Sequence, residues 1–137
     1  FAKFFNAEVI ICDKRRKRAN EIESMSIIGD VTGQDVVLID DICDTAGTLS
    51  KAAALIMENG ANSVRAVCTH AVLSGKAYET IENSMLSEMI VTDTIQLDPE
   101  KAKNSTKIKV LSTADLFGKA IKSVNQHASI AELFSVD

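Results

Sequence analysis

The sequence predicts an α/β domain with a mainly parallel sheet flanked by helices. Short continuous apolar runs, typical of strands covered on both faces, alternate along the chain with segments whose apolar residues recur at helical spacing. Strands that alternate with helices in this way favour parallel pairing with right-handed crossovers. The 137 residues suffice for one core and are too few for two ordinary domains, so we treat residues 1–137 as one domain.

The first predicted elements surround a strongly basic run. Residues 1–7 have the pattern of the last turns of an amphipathic helix, and the chain opens at Phe1 without methionine, so we expect a fragment of a longer protein. Residues 9–12 form a short apolar run that predicts a buried strand. The five consecutive cations of 14–18 have no apolar anchor, which predicts a mobile, exposed loop, and 25–31 is apolar enough for a strand.

The later elements are regular. Residues 36–39 give the strongest buried-strand pattern of the chain, and a helix is predicted from Thr48 to a left-handed stop at Gly60. The remaining predictions follow in order: strand 63–69, helix 74–82 capped by Ser74, strand 89–91, a polar surface connection at 98–106, strand 108–111, and a final helix that Thr113 caps and that runs to Val124.

Composition excludes several classes of protein. The net charge of -4 argues against a general nucleic-acid binder. Three distant cysteines, Cys12, Cys43 and Cys68, match neither a disulfide framework nor a metal-ligand spacing, which indicates reduced thiols in a cytoplasmic protein. No apolar run reaches the ~20 residues that span a bilayer, so no membrane partner is expected.

The segment 40–48 carries the clearest chemistry. It follows the strongest strand, and in open parallel sheets ligands bind beyond the carboxyl ends of strands. Thr45, Ala46, Gly47 and Thr48 stand where a helix begins, so free backbone N–H groups, two hydroxyls and a glycine can receive an anion such as a phosphate. The glycine spacing and the Lys-Ser/Thr pair of a Walker A loop are absent.

Three aspartates in the same segment need another explanation. Asp40, Asp41 and Asp44 suit the hydroxyls of a sugar, because carboxylates accept hydrogen bonds from vicinal hydroxyls. Any one of them could be a turn former or helix cap. Three crowded carboxylates repel one another, however, which favours a ligand or metal that offsets the repulsion.

The run 36–48, which reads VVLIDDICDTAGT, resembles the 5-phosphoribosyl diphosphate (PRPP)-binding motif of type I phosphoribosyltransferases and ribose-phosphate diphosphokinases. Further segments resemble the diphosphokinase branch in the same order: 13–16, 27–31, 69–70, 73–75, 81–84 and 91–95. The likeness covers nearly the whole chain and corresponds to the C-terminal half of those enzymes. It implies a type I phosphoribosyltransferase-like α/β fold, with a flexible basic loop, that lacks the family's N-terminal domain.

The resemblance also implies roles for single residues. Lys14 and Arg16 match the cations of the family's flexible catalytic loop, with Lys14 contacting ATP and Arg16 also contacting ribose 5-phosphate. The set matching the ribose 5-phosphate contacts is Asp40, Asp41, Asp44, Thr45, Ala46, Gly47 and Thr48. Taken alone, a basic run is more often a solvated loop, or a nucleic-acid or localisation patch.

The implied activity is transfer of the diphosphoryl group of ATP to ribose 5-phosphate, with Mg2+ as cofactor, for nucleotide biosynthesis. The family's metal-binding histidine lies in its other half, so we expect no metal ligand from this segment, an inactive fragment and a homohexamer for the full-length enzyme. Two alternatives are a phosphoribosyltransferase that consumes PRPP, which would need a base-recognising hood, and a non-catalytic subunit, which would be expected to lose the cations or the aspartates.

Overall fold

The structure is a computed structural model that describes residues 2, 6–18 and 21–134, with the backbone alone for 13–18 and 21–24. The strands of this described part are β1 (Ile11–Arg18), β2 (Glu21–Ile28), β3 (Asp35–Cys43), β4 (Ser63–Ala71), β5 (Glu88–Thr92) and β6 (Ile108–Leu111). Its helices are α1 (Gly47–Glu58), α2 (Ala77–Glu82), α3 (Pro99–Asn104) and α4 (Ala114–Asn125), followed by a 3-10 helix at Ala131–Leu133. The helix expected over residues 1–7 falls largely outside the described residues.

The central sheet confirms the predicted α/β class. Its four strands lie in the order β3-β4-β5-β6, and every neighbouring pair is parallel. The crossover helices α1 and α2 pack their apolar residues against it, so that Ile56 and Ile81 are fully buried with Met89 of β5. This arrangement brings the carboxyl ends of all four strands to one edge of the sheet.

The other face of the sheet is exposed within the described residues. Val37 and Ile39 of β3, on alternate positions, are 51% and 50% exposed, and Leu111 of β6 is also exposed. No residue of α4 is buried, although Leu116, Phe117, Ile121 and Val124 form an apolar set along it. The core therefore lies on one side of the sheet, between the strands and the two crossover helices.

The basic segment differs from the prediction. Residues 11–18 form a strand that pairs antiparallel with β2 in a separate two-stranded sheet, so the expected loop at 14–18 is wrong. Of the buried strand expected at 9–12, only residues 11 and 12 belong to β1, and Val9 and Ile11 are 70% and 55% exposed. The ribbon is anchored at its base, where Cys12 of β1 and Ile27 of β2 pack against the core together with Ile10. Backbone pairing with β2 holds the basic residues beyond that base. The register shifts between Arg15 and Arg16, as in a β-bulge. The expected mobility of the segment stays a prediction.

Two element boundaries also differ. Strand β3 runs to Cys43, because β4 pairs with it as far as Cys43 and Ala71, and the loop expected at 40–48 shrinks to residues 44–46. The polar stretch at 98–106 contains helix α3, whose first residue is Pro99. Asp98 caps that helix by accepting hydrogen bonds of 3.1 Å from the backbone N–H groups of Glu100 and Lys101.

The predicted helix caps are wrong in two places. Helix α2 begins at Ala77, and Ser74 instead donates its hydroxyl to Asp44. Thr113 does precede α4, but its hydroxyl donates to Asp93 and makes no capping bond. Both hydroxyls donate to carboxylates that lie 20 or more residues away in sequence. Local helix signals do not reveal such contacts.

Candidate functional site

A pocket of about 210 Å3 opens at the carboxyl end of β3. Its wall consists of ten consecutive residues, 40–49, which pass from the end of the strand through the short loop into the first turn of α1. The strand holds the first four of these residues and the helix holds the last three, so two packed elements fix the loop between them. The volume is below the range of ~300–1,000 Å3 typical for drug-sized ligands, which indicates a small ligand.

The helix end in this pocket has open hydrogen-bond donors. No hydrogen bond within the described residues uses the backbone N–H groups of Thr45, Gly47 or Thr48. The first N–H groups of a helix have no acceptor inside the helix, and α1 has no side-chain cap. These donors and the positive end of the helix dipole together favour an anion.

Ala46 has a strained backbone at the start of this helix. It lies in the left-handed region with φ 61°, although its side chain is a methyl group and only 5% exposed. A non-glycine residue in that region costs roughly 1–2 kcal/mol and persists only where its surroundings impose it. Such strain is common at ligand-binding loops, and here it lies between the strand and the free N–H groups.

Three carboxylates stand beside these donors, and each has one oxygen already engaged. Oδ1 of Asp40 accepts the backbone N–H of Asp41 at 3.0 Å, and Oδ1 of Asp41 accepts that of Ile42 at 2.8 Å. Oδ1 of Asp44 accepts the hydroxyl of Ser74. Across the described side chains, the Oδ2 atoms of these aspartates have no hydrogen bond, so three oxygens can still accept from a ligand.

The two thiols at this edge are unsuited to nucleophilic chemistry. Burial, with smaller contributions from the nearby Cys68, Asp40 and Asp44, raises the pKa of Cys43 to about 12, and a hydrogen bond from the N–H of Ala46 opposes this rise. Burial also raises the pKa of Cys68. Both cysteines are protonated at neutral pH, and a thiol is a poor nucleophile without its thiolate form.

Every acidic-loop residue predicted from the sequence lies in this pocket wall. The set comprises Asp40, Asp41, Asp44, Thr45, Ala46, Gly47 and Thr48. Lys14 and Arg16 belong to β1, where their backbones pair with Met25 and Ile22. Their side chains lie outside the described atoms, so their approach to the pocket stays a prediction.

Sequence reasoning missed Ser74, because its partner Asp44 is thirty residues away. His70, which is not among the predicted site residues, has its Nδ1 atom 2.9 Å from the hydroxyl oxygen of Thr94. In the part of the chain that the structure describes, no three His, Cys, Asp or Glu side chains are grouped so that they could hold a metal ion. Across the same residues, no helix has the length and apolar character to pass through a membrane.

Comparison with known proteins connects this chain to a family. The family model described as "Phosphoribosyl synthetase-associated domain" matches residues 9–135. A ribose-phosphate pyrophosphokinase of Campylobacter jejuni is 53% identical over 133 residues, covering 97% of this chain and 42% of the relative. One of Porphyromonas gingivalis is 52% identical over 134 residues, covering 98% and 42%. The chain thus spans about two fifths of the curated relatives that it matches.

A solved structure gives the same picture of the fold. The crystal structure of phosphoribosylpyrophosphate synthetase from Mycobacterium smegmatis superposes with a TM-score of 0.72 at 35% identity. The match covers 77% of this chain and 35% of that protein. The similarity therefore includes most of the present domain and a minor part of the solved one.

Proposed function

This chain belongs to the family of the phosphoribosyl synthetase-associated domain, and from that membership we propose that it is the C-terminal part of a ribose-phosphate diphosphokinase. The observation that carries the proposal is the pocket of residues 40–49. There the free N–H groups at the N-terminus of α1 lie beside three carboxylates, each of which has one oxygen without a hydrogen bond among the described residues. That combination fits the two ends of a pentose phosphate. The names of the relatives support the same ligand.

The phosphate of ribose 5-phosphate binds at Thr45–Thr48 in this proposal. The N–H groups of Thr45, Gly47 and Thr48, with the threonine hydroxyls, supply donors that a dianion needs. Asp40 and Asp44 accept the ribose hydroxyls through their unengaged oxygens, and Asp41 assists from the next position.

The reaction transfers a diphosphoryl group. O1 of the sugar attacks the β-phosphorus of ATP. As the O1–P bond forms, the bond breaks between the β-phosphorus and the oxygen that bridges it to the α-phosphorus. AMP leaves with the bridging oxygen, and O1 loses its proton to solvent. Lys14, on ATP, and Arg16, on ribose 5-phosphate, stabilise the negative charge that builds on the phosphoryl oxygens.

Mg2+ enters this proposal as the cofactor of ATP. In this proposal its protein ligand is the family's metal-binding histidine, which the resemblance places in the other half of the enzyme. We also propose a cytoplasmic location, supported by three free cysteines, and a homohexamer for the full-length enzyme. The exposed apolar face of the sheet and the unburied helix α4 support further protein packing against this domain.

Because the chain spans only part of its relatives, its own activity is expected to be absent. The first test is therefore binding: calorimetric titration of this chain with ribose 5-phosphate. Asp40→Asn should weaken binding about tenfold or more, because a charge-assisted hydrogen bond is lost. Asp35→Asn is the matched control, since Asp35 begins the same strand at the opposite end of the sheet. A folded chain that binds no ribose 5-phosphate at millimolar concentration would refute the proposal.

The second test restores the missing part. The matching segment of the Campylobacter jejuni relative is replaced by this chain, and AMP formation from ATP and ribose 5-phosphate is measured. Lys14→Ala should reduce kcat by a factor of about 100 or more, as for other groups that stabilise developing charge. Lys119→Ala, in the exposed helix α4, is the control. Activity that needs PRPP and a nucleobase would favour a phosphoribosyltransferase, and an active chimaera insensitive to Lys14→Ala would remove the catalytic role of that lysine.

A further inference from the structure

The segment that follows β4 crosses the end of β3 and is bonded to the start of the pocket loop. The backbone N–H groups of Val72 and Leu73 donate to the carbonyl of Cys43 at 2.9 and 3.2 Å. The N–H of Ser74 donates to the carbonyl of Asp44 at 3.0 Å. Three consecutive donors therefore hold the two residues from which the loop departs.

Ser74 contacts Asp44 a second time, through its side chain. Its hydroxyl donates to Oδ1 of Asp44, so one residue holds both the backbone and the carboxylate of that aspartate. Ser74 itself does not line the pocket. Any effect of its hydroxyl on a ligand therefore acts through Asp44.

The backbone around Ser74 is held in an uncommon conformation. Leu73 lies in the left-handed region with φ 50° and is 4% exposed, and Gly75 follows with φ 57°. A buried leucine in that region is strained, and such strain persists only where the surroundings impose it. Ser74 thus lies between the strained Leu73 and a glycine that adopts this conformation freely, and both its N–H and its hydroxyl reach Asp44.

We propose that Ser74 is a positioning residue for sugar recognition. By occupying Oδ1 it fixes the orientation of the Asp44 carboxylate and leaves Oδ2 to accept a ribose hydroxyl. The carboxylate is then already ordered in the free protein, so ligand binding loses less side-chain entropy, as in other preorganised sites. This inference rests on the proposed function. It adds a residue that promotes binding of the ribose hydroxyls and does not act on the phosphate.

The test separates the two ends of the ligand by calorimetry on the chain. Ser74→Ala should weaken binding of ribose 5-phosphate about tenfold, whereas binding of inorganic phosphate, which needs only the N–H groups and threonine hydroxyls of 45–48, should change less than about twofold. Ser74→Thr keeps the hydroxyl and should restore most of the affinity. In an Asp44→Ala background, Ser74→Ala should have no further effect, because the two residues act as one unit.

Ser63→Ala is the matched control. Ser63 donates its hydroxyl to Oδ1 of Asp35 at 2.5 Å, which is the same kind of bond, formed between the first residues of β4 and β3 at the opposite end of the sheet. It should leave both affinities unchanged. If Ser74→Ala does not fold, Ser74→Cys keeps the side-chain volume with a weaker donor and should show a smaller loss of the same kind.

The outcomes distinguish this inference from the function on which it rests. If the unaltered chain binds phosphate but not ribose 5-phosphate, the proposed function fails and this inference fails with it. If the chain binds ribose 5-phosphate and Ser74→Ala behaves like Ser63→Ala, the positioning role alone is refuted. Equal losses for ribose 5-phosphate and phosphate would show that Ser74 only holds the loop together, which also overturns the proposal.

Discussion

The hydroxyl of Ser112 donates a hydrogen bond of 2.6 Å to Oδ2 of Asp93 and thereby joins the residue after β6 to the residue after β5. The other oxygen of Asp93 accepts the backbone N–H of Thr113 at 2.8 Å and its hydroxyl at 2.6 Å. These three bonds favour the ionised form and lower the pKa of Asp93 to about 2, with the Ser112 hydroxyl as the largest cause. The start of helix α4 therefore depends on a charged carboxylate at the end of β5.

This carboxylate predicts an acid-sensitive contribution to stability. The folded-state pKa lies below the ordinary value of 3.8, so the stabilisation is complete above that value and is lost as the pH falls towards 2. Asp93→Asn should reduce the drop in urea midpoint between pH 5 and pH 2.5. Ser112→Ala should raise the pKa of Asp93 in a carboxyl NMR titration, and an unchanged titration curve would contradict the assigned cause.

The left-handed Ala46 predicts that two buried alanines respond unequally to substitution by glycine. Ala46→Gly removes a conformational strain of roughly 1 kcal/mol, which offsets the entropy that glycine adds to the unfolded chain, so stability should stay within about 0.5 kcal/mol. Ala53, buried within α1, has no such strain, and Ala53→Gly should cost about 1 kcal/mol or more. Urea unfolding measures both, and equal losses would argue against strain at Ala46.

Burial of the thiols predicts their reactivity. Cys43 and Cys68 are buried and their pKa values are raised, so alkylation by iodoacetamide at pH 8 should leave both unmodified in the folded chain and modify both in urea. Cys12 is partly exposed, although burial raises its pKa as well, and it should react faster than the other two. Mass spectrometry of the alkylated peptides measures each site. Rapid labelling of Cys43 in the folded chain would mean that the end of β3 opens.

The sequence predicted those parts of the fold that are specified by local patterns. The runs at 36–39, 63–69, 89–91 and 108–111 lie in β3 to β6, because strands of a parallel sheet are apolar enough to stand out. Helix α3 was missed although its signal was present, since Asp98 followed by Pro99 is a common helix start. The basic ribbon was missed because only its base carries an apolar pattern, at 9–12 and 25–31, whereas the cations of 14–18 are held in β1 by backbone pairing with β2.

The candidate site likewise has a part that local sequence predicted and a part that it did not. The pocket wall is one continuous stretch of ten residues, so the sequence predicted its members together with the helix that ends it. Ser74 could not be found in that way, because its bond to Asp44 depends on the register of β3 against β4 and on the turn after β4. Contacts between distant residues follow from tertiary packing, and a local reading assigned the serine to the nearest helix instead.

We expect Gly47→Ala to increase the stability of the fold and to weaken ligand binding at the pocket. A Cβ atom added there would meet only the Thr45 hydroxyl oxygen at 3.8 Å, an ordinary contact, and Gly47 is the first residue of α1. Gly47→Ala should therefore raise the free energy of unfolding by ~0.5 kcal/mol, because alanine favours a helix. The added methyl group would nevertheless lie where a phosphate approaches the N–H groups of 45–48, so calorimetry should show clearly weaker binding of ribose 5-phosphate and inorganic phosphate.

Gly118→Ala, in the exposed helix α4 with open space around the new methyl group, should be stabilising by ~1 kcal/mol without any change in binding. If both glycine variants bind alike, the helix start is not where the phosphate is held.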